Sequence, residues 1–302
     1  MLSEDERNRV DRIEALVHRD VGRNIGALLA AARGGLWQAA SALAADPAPR
    51  IGLMTGFFVP GGVIPAAETD GPGGAALLAR AFQQAGLACR LLTDRACSDA
   101  CAAALAAAGV PEVAIDAADP GDDLAGIVGR WRDDGVTWAI SIERCGRTSD
   151  GSMRNMRGQD IGAHVAPLDD VFTAGPWRTI AIGDGGNEIG MGALPAGLIE
   201  AHVAHGGRIA CVTPADHLVM AGVSHWGAYA LLGALTGLRP AWRAALHAAL
   251  DPALDRLIIE SMVALGPAVD GVTLRREATI DSLSMEEHYQ VLAGVRALLP
   301  AP

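Results

Sequence analysis

Residues Thr179 to Gly192 read TIAIGDGGNEIGMG, and the reading of the whole chain starts from them. A short apolar strand, Thr179–Ile182, runs into GDGGNE and then into a predicted helix, Asn187–His205. A glycine cluster at a strand's carboxyl end lets the backbone turn tightly and lets a ligand approach closely. Asp184, Asn187 and Glu188 fall in that turn, and hard oxygen ligands on a tight loop suit Mg²⁺ or Mn²⁺. The segment reads as part of an active site that holds a divalent metal. The plainer alternative is a loop in which Asp184 or Asn187 only caps the helix. A dinucleotide site is disfavoured, because Glu188 stands where the fingerprint needs its third glycine. The next predicted strand, Arg208–Val212, also ends without a ribose-binding acid.

Outward from this turn the chain alternates short apolar runs with alanine-rich helical ones. Predicted strands are Ile51–Thr55, Ala88–Leu92, Val113–Ile115, Trp138–Ile142, Thr179–Ile182 and Arg208–Val212. Predicted helices between them are Gly74–Ala85, Ser98–Ala108, Asp122–Asp133 and Asn187–His205. This alternation implies an α/β fold, a mostly parallel sheet flanked by helices in a Rossmann-like layered architecture. Residues 1–302 then form a single catalytic domain: N-terminal helices over 1–46, an α/β core over 50–215, and a mainly helical part over 216–302. An amphipathic helix opens the chain, with Val10, Ile13, Leu16 and Val17 on one stripe, and Gly22–Ala45 reads as a second helix. In the last third, Trp226–Leu235, Pro240–Leu250, Leu254–Ala264 and Met285–Leu298 read as helices around a loop-rich stretch, Gly266–Leu283.

A net charge of −11 with no basic tract argues against nucleic acid. No apolar run is long enough to span a bilayer. The first twenty residues lack a signal peptide's apolar core and are too acidic for a transit peptide, so a cytoplasmic location is expected. Cys89, Cys97, Cys101, Cys145 and Cys211 show no metal-ligand framework, and Cys97 and Cys101, four apart in an alanine-rich helix, read as small core residues and not as a redox pair. An acidic protein that takes an anionic substrate needs a local patch of arginines.

Two further polar clusters follow predicted strands. After Ile51–Thr55, Glu68 and Asp70 enter a turn that leads to a helix start near Gly73, where free N–H groups favour an anion. After Trp138–Ile142 comes a long polar loop carrying Glu143, Arg144, Arg147, Asp150, Arg154, Asn155, Arg157 and Asp160. Loops of that length inside a compact domain are usually functional, and arginines match carboxylates bidentately. His225, beside a helix start, reads first as a structural hydrogen-bonder. No G-x-S-x-G elbow is present, which excludes a serine hydrolase of that type.

In order along the chain, TGFFVP (55–60), ETDGPGGA (68–75), SIERCGR (141–147), DGSMRNMRGQDI (150–161), APLDDVF (166–172), IGDGGNEIGMG (182–192), HWGAYAL (225–231) and DGVTLRREATIDSL (270–283) resemble the D-glutamate cyclase family. The resemblance covers almost the whole chain. Its departures are Cys145 where the family tends to have proline, His225 where it has asparagine, and Leu274 and Ser282 where it has glycines. What it implies is an α/β lyase that converts D-glutamate to 5-oxo-D-proline plus water. Such a ring closure needs a base for the ammonium, an electrophilic carboxylate and a protonated leaving oxygen. On this reading Asp70, Asp184 and Glu188 bind Mn²⁺ or Mg²⁺, Glu68 or Glu143 is the base, and Asp184 also serves catalysis. Arg144, Arg147 and Arg157 hold the substrate, with Thr55, Gly56, Asn155 and Asn187 as further contacts. The expected partner is a small acidic amino acid; the sequence leaves a homo-oligomer open.

Two alternatives remain at this level. GDGGNE looks like the acidic loop of haloacid dehalogenase-like phosphatases, although the first strand leads to TGFFVP and not to a D-x-D nucleophile. A non-catalytic sensor of acidic amino acids would need the arginines but no metal-binding carboxylates.

Overall fold

The computed structural model describes residues 4–61 and 65–301, so the first three residues of the predicted N-terminal helix lie outside them. A six-stranded, wholly parallel sheet forms the centre. Its strands are β1 (Ile51–Met54), β4 (Cys89–Asp94), β5 (Ala114–Ala118), β6 (Trp138–Ile142), β7 (Arg178–Gly183) and β8 (His217–Met220). The short pair β2 (Phe58–Val59) and β3 (Ala66–Ala67) makes a separate antiparallel hairpin. The sheet order β5-β4-β1-β6-β7-β8 runs outward from β1 in both directions. Counting only the strands of the large sheet, this is the doubly wound order, and it places a topological switch point between β1 and β6. Loops leaving the two sides of that point diverge, which opens a crevice at the carboxyl ends of the strands.

Apolar side chains cover the sheet on both faces. One cluster gathers Leu53, Ile140, Ile142 and Ile182 with the helices Pro72–Gln84 and Ser224–Leu238. The other gathers Met54, Leu92, Ala139 and Ala181 with Trp131 and Phe172. Burial on both faces is why β1, β6 and β7 read as near-continuous apolar runs without alternation.

Three sequence expectations are corrected. Arg208–Val212 is not the sixth strand: Gly206–Ile209 closes a short helix, and Cys211 and Val212 donate backbone N–H groups to Gly186 and Arg147 in neighbouring loops. The sixth strand is His217–Met220, which lies beyond the predicted boundary of the α/β core at 215. Its three apolar residues are too few to stand out by periodicity. Asn187–His205 is helical only over Leu198–His202, because Gly190 takes φ 101° and Pro195 interrupts the run. Gly22–Ala45 divides into Gly26–Ala31 and Gly35–Ala45; the buried carboxylate of Glu14 accepts from Gly34 N at 2.7 Å and Leu36 N at 3.0 Å and caps the second piece. Among the described residues no helix is long and apolar enough to cross a membrane.

Candidate active site

Four strand-to-helix turns meet at the switch point. Glu143 directly follows β6 and Asp184 directly follows β7. Asp70 precedes the Pro72–Gln84 helix, and Ser224 opens the helix that follows β8. One carboxylate oxygen each from Asp70, Glu143 and Asp184 lies within 4.8 Å of the others, and all three residues are buried. The Ser224 backbone N–H is shared between Asp70 Oδ2 at 3.0 Å and Asp184 Oδ2 at 2.9 Å. The Ser224 hydroxyl donates to Glu143 Oε2 at 2.6 Å, and Gly71 N donates to Asp70 Oδ1 at 2.7 Å. The acids thus gather at a helix N-terminus, where free N–H groups and the helix dipole favour negative charge. Glu143 holds φ at 42°, a conformation that side chains rarely adopt and that concentrates at functional sites.

A cleft of about 230 Å³ opens beside the triad. Glu68, Glu143, Asp184 and Asp281 supply its acids, Arg23 and Arg157 its guanidinium groups, and Phe57, Phe58 and Val59 an apolar wall. Gly271 approaches Glu68 so closely that a Cβ there would fall 2.0 Å from Glu68 Oε2, which accounts for the glycine of the DGVT motif. The preceding Asp270 organises that loop: Oδ1 accepts from Val272 N and Thr273 N, and Oδ2 accepts from Thr279 Oγ1 and Ser282 N.

Crowding sets the electrostatics. Burial, then the charges of Asp281 and Asp70, push the Glu68 carboxyl well above its ordinary range. Burial, then Asp184 and Glu188, do the same for Glu143. Asp184 is raised mainly by burial, with Arg23 opposing the shift. Asp70 is pushed up to about 7, first by burial and then by Asp281. Carboxylates that repel one another in this way need protons or a cation to coexist. Three hard oxygen donors from separate loops, converging within one ion's reach, fit a divalent metal.

Arg23 was not singled out in the sequence. It lies between helices of the N-terminal segment, where no apolar pattern marks it. The Asp20 carboxylate accepts from Gly22 N, Arg23 N and Ile25 N and so fixes the turn that carries it. Arg23 then donates to Gly222 O at 3.0 Å, pairs with Asp281 Oδ1 at 2.6 Å and lies 3.7 Å from Asp184 Oδ2. Burial works against its charge, but Asp184 and Asp281 outweigh that and hold the group well above its ordinary value.

The expected site residues divide into two sets. Glu68, Glu143, Asp184, Asn155 and Arg157 line the cleft, and Asp70 joins them through the triad. Arg157 reaches the carbonyls of Gly271 and Val272 at 3.2 to 3.4 Å. Its loop is held by Asn155, whose Oδ1 accepts from Arg157 N and Gln159 N.

The other expected residues shape the loops. Glu188 is not one of the three converging carboxylates: Oε1 accepts from Asp184 N and Gly185 N at 2.9 and 2.6 Å, and Oε2 accepts from Gly186 N at 2.6 Å. Those bonds direct its carboxylate into the loop's own amides. Arg144 is fully buried on the Asp94 carboxylate and the carbonyls of Gly56 and Ala166, so it ties three loops together and does not line the cleft. Arg147 grips Asp170 with two bonds of 2.6 Å and faces a different surface hollow. Asn187 donates to Arg154 O, and the Thr55 hydroxyl is buried without a partner beside Gly71. His225 is sealed behind the site against Asp255 Oδ1 at 2.8 Å, with the Tyr229 hydroxyl on the other oxygen of that carboxylate. Burial opposes its charge, yet Asp255 and their hydrogen bond raise its pKa above the ordinary imidazole value. All five cysteines are free, four of them buried.

Comparison with known proteins agrees with this geometry. The sequence pattern of a family described as D-glutamate cyclase-like, C-terminal, matches residues 13–296. A human protein named D-glutamate cyclase, mitochondrial, is 45% identical over 100 residues; the match takes in 32% of this chain and 16% of the human protein. The fold, the convergent acids and the near end-to-end match together place this chain in the D-glutamate cyclase-like family.

Proposed function

We propose that this protein is a lyase that converts D-glutamate to 5-oxo-D-proline and water with the help of a divalent cation. The observation that carries the reading is the convergence, in one cleft, of the Asp70–Glu143–Asp184 triad with Arg23 and Arg157. A substrate with two carboxylates and one ammonium finds a partner for each of its charges there. Mg²⁺ or Mn²⁺ held by Asp70, Glu143 and Asp184 would supply polarisation of the γ-carboxylate.

The chain's own residues account for the remaining steps. Arg157 binds the α-carboxylate at the cleft mouth, where its guanidinium now meets only backbone carbonyls. Glu68 takes a proton from the ammonium and gives it up to the oxygen that departs; burial and the charges of Asp281 and Asp70 raise its pKa and so favour holding that proton in transit. The nitrogen bonds to the γ-carbon, one C–O bond breaks, and the two protons lost from nitrogen leave with that oxygen as water. Phe57, Phe58 and Val59 keep bulk water from the reacting atoms. Holding the amine and the γ-carbon of one folded substrate together removes much of the entropic barrier to closure, so no activated leaving group is required.

The test incubates purified protein with D-glutamate or L-glutamate, with Mn²⁺ or with EDTA, and follows both amino acid and 5-oxoproline by chiral chromatography. Metal-dependent formation of 5-oxo-D-proline supports the proposal. Phosphate release from a phosphometabolite panel with D-glutamate untouched would transfer the argument to a phosphatase. Tight D-glutamate binding without turnover would transfer it to a sensor.

A further inference from the structure

Several carboxylate oxygens around the cleft are already engaged. Both oxygens of Asp70, Oδ2 of Asp184 and Oε2 of Glu143 accept hydrogen bonds from Gly71 or Ser224. Asp281 differs. Its side chain is 6% exposed and lines the cleft, Oδ1 is fixed by Arg23 at 2.6 Å, and Oδ2 is buried with no hydrogen-bond partner among the described residues. Leaving a buried acceptor unsatisfied is costly, so its persistence at the wall of a cleft points to a donor that arrives with the ligand.

The chemistry of that donor follows from the neighbours. Arg23 already supplies one guanidinium to Asp281, and an added carboxylate would meet Glu68, which lies close enough that Asp281 is the leading charge raising it. A cationic N–H donor fits, and a primary ammonium is small enough to stand between Asp281 and Glu68. The loop is built to hold this placement. Asp281 has φ 55°, and the next residue's N–H is anchored on Asp270 Oδ2 at 2.7 Å.

We infer that Asp281 is a specificity-determining residue whose free Oδ2 receives the α-ammonium of the substrate while Arg23 fixes its Oδ1. The inference rests on the amino-acid lyase reading above and adds to it the recognition of the amine. Asp281 selects for and orients the amine, and Glu68 beside it exchanges the proton. A dicarboxylate without an amine satisfies Arg157 and the triad but leaves Asp281 unsatisfied.

The test compares KM and kcat for D-glutamate with the inhibition constant of glutarate, which carries both carboxylates and no amine. Asp281→Asn preserves shape and an oxygen for Arg23. It is expected to raise KM for D-glutamate about tenfold or more and to leave glutarate inhibition within about twofold, while Asp281→Glu recovers part of the loss. Equal weakening towards both compounds, or no change towards either, overturns the inference. If Asp281→Asn does not fold, the unaltered protein still decides: glutarate held as tightly as D-glutamate overturns it, and clearly weaker glutarate supports it. An unaltered protein that neither converts nor binds D-glutamate overturns the lyase reading and this assignment with it. Turnover with an unmoved KM in Asp281→Asn overturns this assignment alone.

Discussion

The Ser224 hydroxyl lies 2.6 Å from Glu143 Oε2 and joins the turn after the edge strand β8 to the turn after β6. Glu143 is buried and held at positive φ, so its orientation depends on this contact. Ser224→Ala leaves a buried carboxyl oxygen without its donor. The expected result is a loss of about 1–3 kcal/mol in urea unfolding, together with a weaker response of the melting temperature to Mn²⁺. An unchanged Mn²⁺ response would mean that Glu143 is not held for a cation.

Asp184 and Glu188 belong to one loop and are expected to respond in opposite ways. Glu188 accepts three backbone N–H groups with both oxygens, so Glu188→Gln should lower stability by about 2–3 kcal/mol while the Mn²⁺-induced rise in melting temperature survives. Asp184→Asn removes a crowded buried charge. It should melt near the parent temperature and lose the Mn²⁺ rise, along with nearly all activity. Scanning fluorimetry with Mn²⁺ and with EDTA reads both variants. The opposite pattern would exchange their roles.

Arg157 and Arg147 separate substrate binding from surface pairing. Arg157→Ala should raise KM for D-glutamate about tenfold or more, since its guanidinium lines the cleft and has no carboxylate partner among the described residues. Arg147→Ala removes an ion pair with Asp170 outside the cleft and should leave KM unchanged. Steady-state kinetics of the two variants side by side measure the contrast, and a larger KM effect at Arg147 would move the substrate to the neighbouring hollow.

His288 gives a pH dependence whose sign is fixed. Burial, then the charge of His225, lowers it from 6.5 to about 4. Geometry agrees: Trp226 Nε1 donates to Nδ1 at 2.7 Å, so a proton there would face another N–H. Below pH 6.5 the unfolded chain takes up a proton that the native protein refuses. Stability is therefore lost as pH falls from about 6.5 towards 4, by about 3 kcal/mol in all. His288→Gln can keep an acceptor for Trp226 and does not titrate. Its stability relative to the parent should improve by about that amount between pH 7.5 and pH 4 in urea titrations. A constant difference across pH would remove His288 as the source.

Ser282 tests the departures from the family pattern. Ser282 and Leu274, the two positions where the family resemblance implies glycine, hold φ at 63° and 62°. Leu274 recovers part of that strain by packing on Val59, Ala66 and Val269, whereas Ser282 is exposed. Ser282→Gly keeps the N–H that Asp270 accepts and should raise stability by about 0.5–1 kcal/mol, read as an increase in melting temperature. A decrease would show that the serine side chain contributes more than the backbone costs.

The layered fold was legible because β1, β6 and β7 are buried on both faces and have no competing pattern. β8 was not, because His217–Met220 is short while the nearby run Arg208–Val212 is apolar for a different reason, the packing of Ile209 and Cys211 under a loop. Glu68, Glu143 and Asp184 were legible because each follows a strand. Arginines were harder. Arg144 and Arg147 look the same as Arg157 in sequence, and only the positions of Asp94 and Asp170 show that they are already occupied. Arg23 carries no local signal, and Asp281 falls within the DGVTLRREATIDSL motif without a role attached to it, since what defines the pair is a contact between residues far apart in sequence.

That contact also bears on the order of assembly. Arg23 leaves the ribosome long before Asp281, and the strand β7 that carries Asp184 lies between them in sequence. Contacts of such long sequence separation form after local ones have organised the chain. A nascent chain can therefore carry all six strands of the large sheet while its cleft is still open, and the site completes only when the 270–283 loop has folded back onto the turn that carries Arg23.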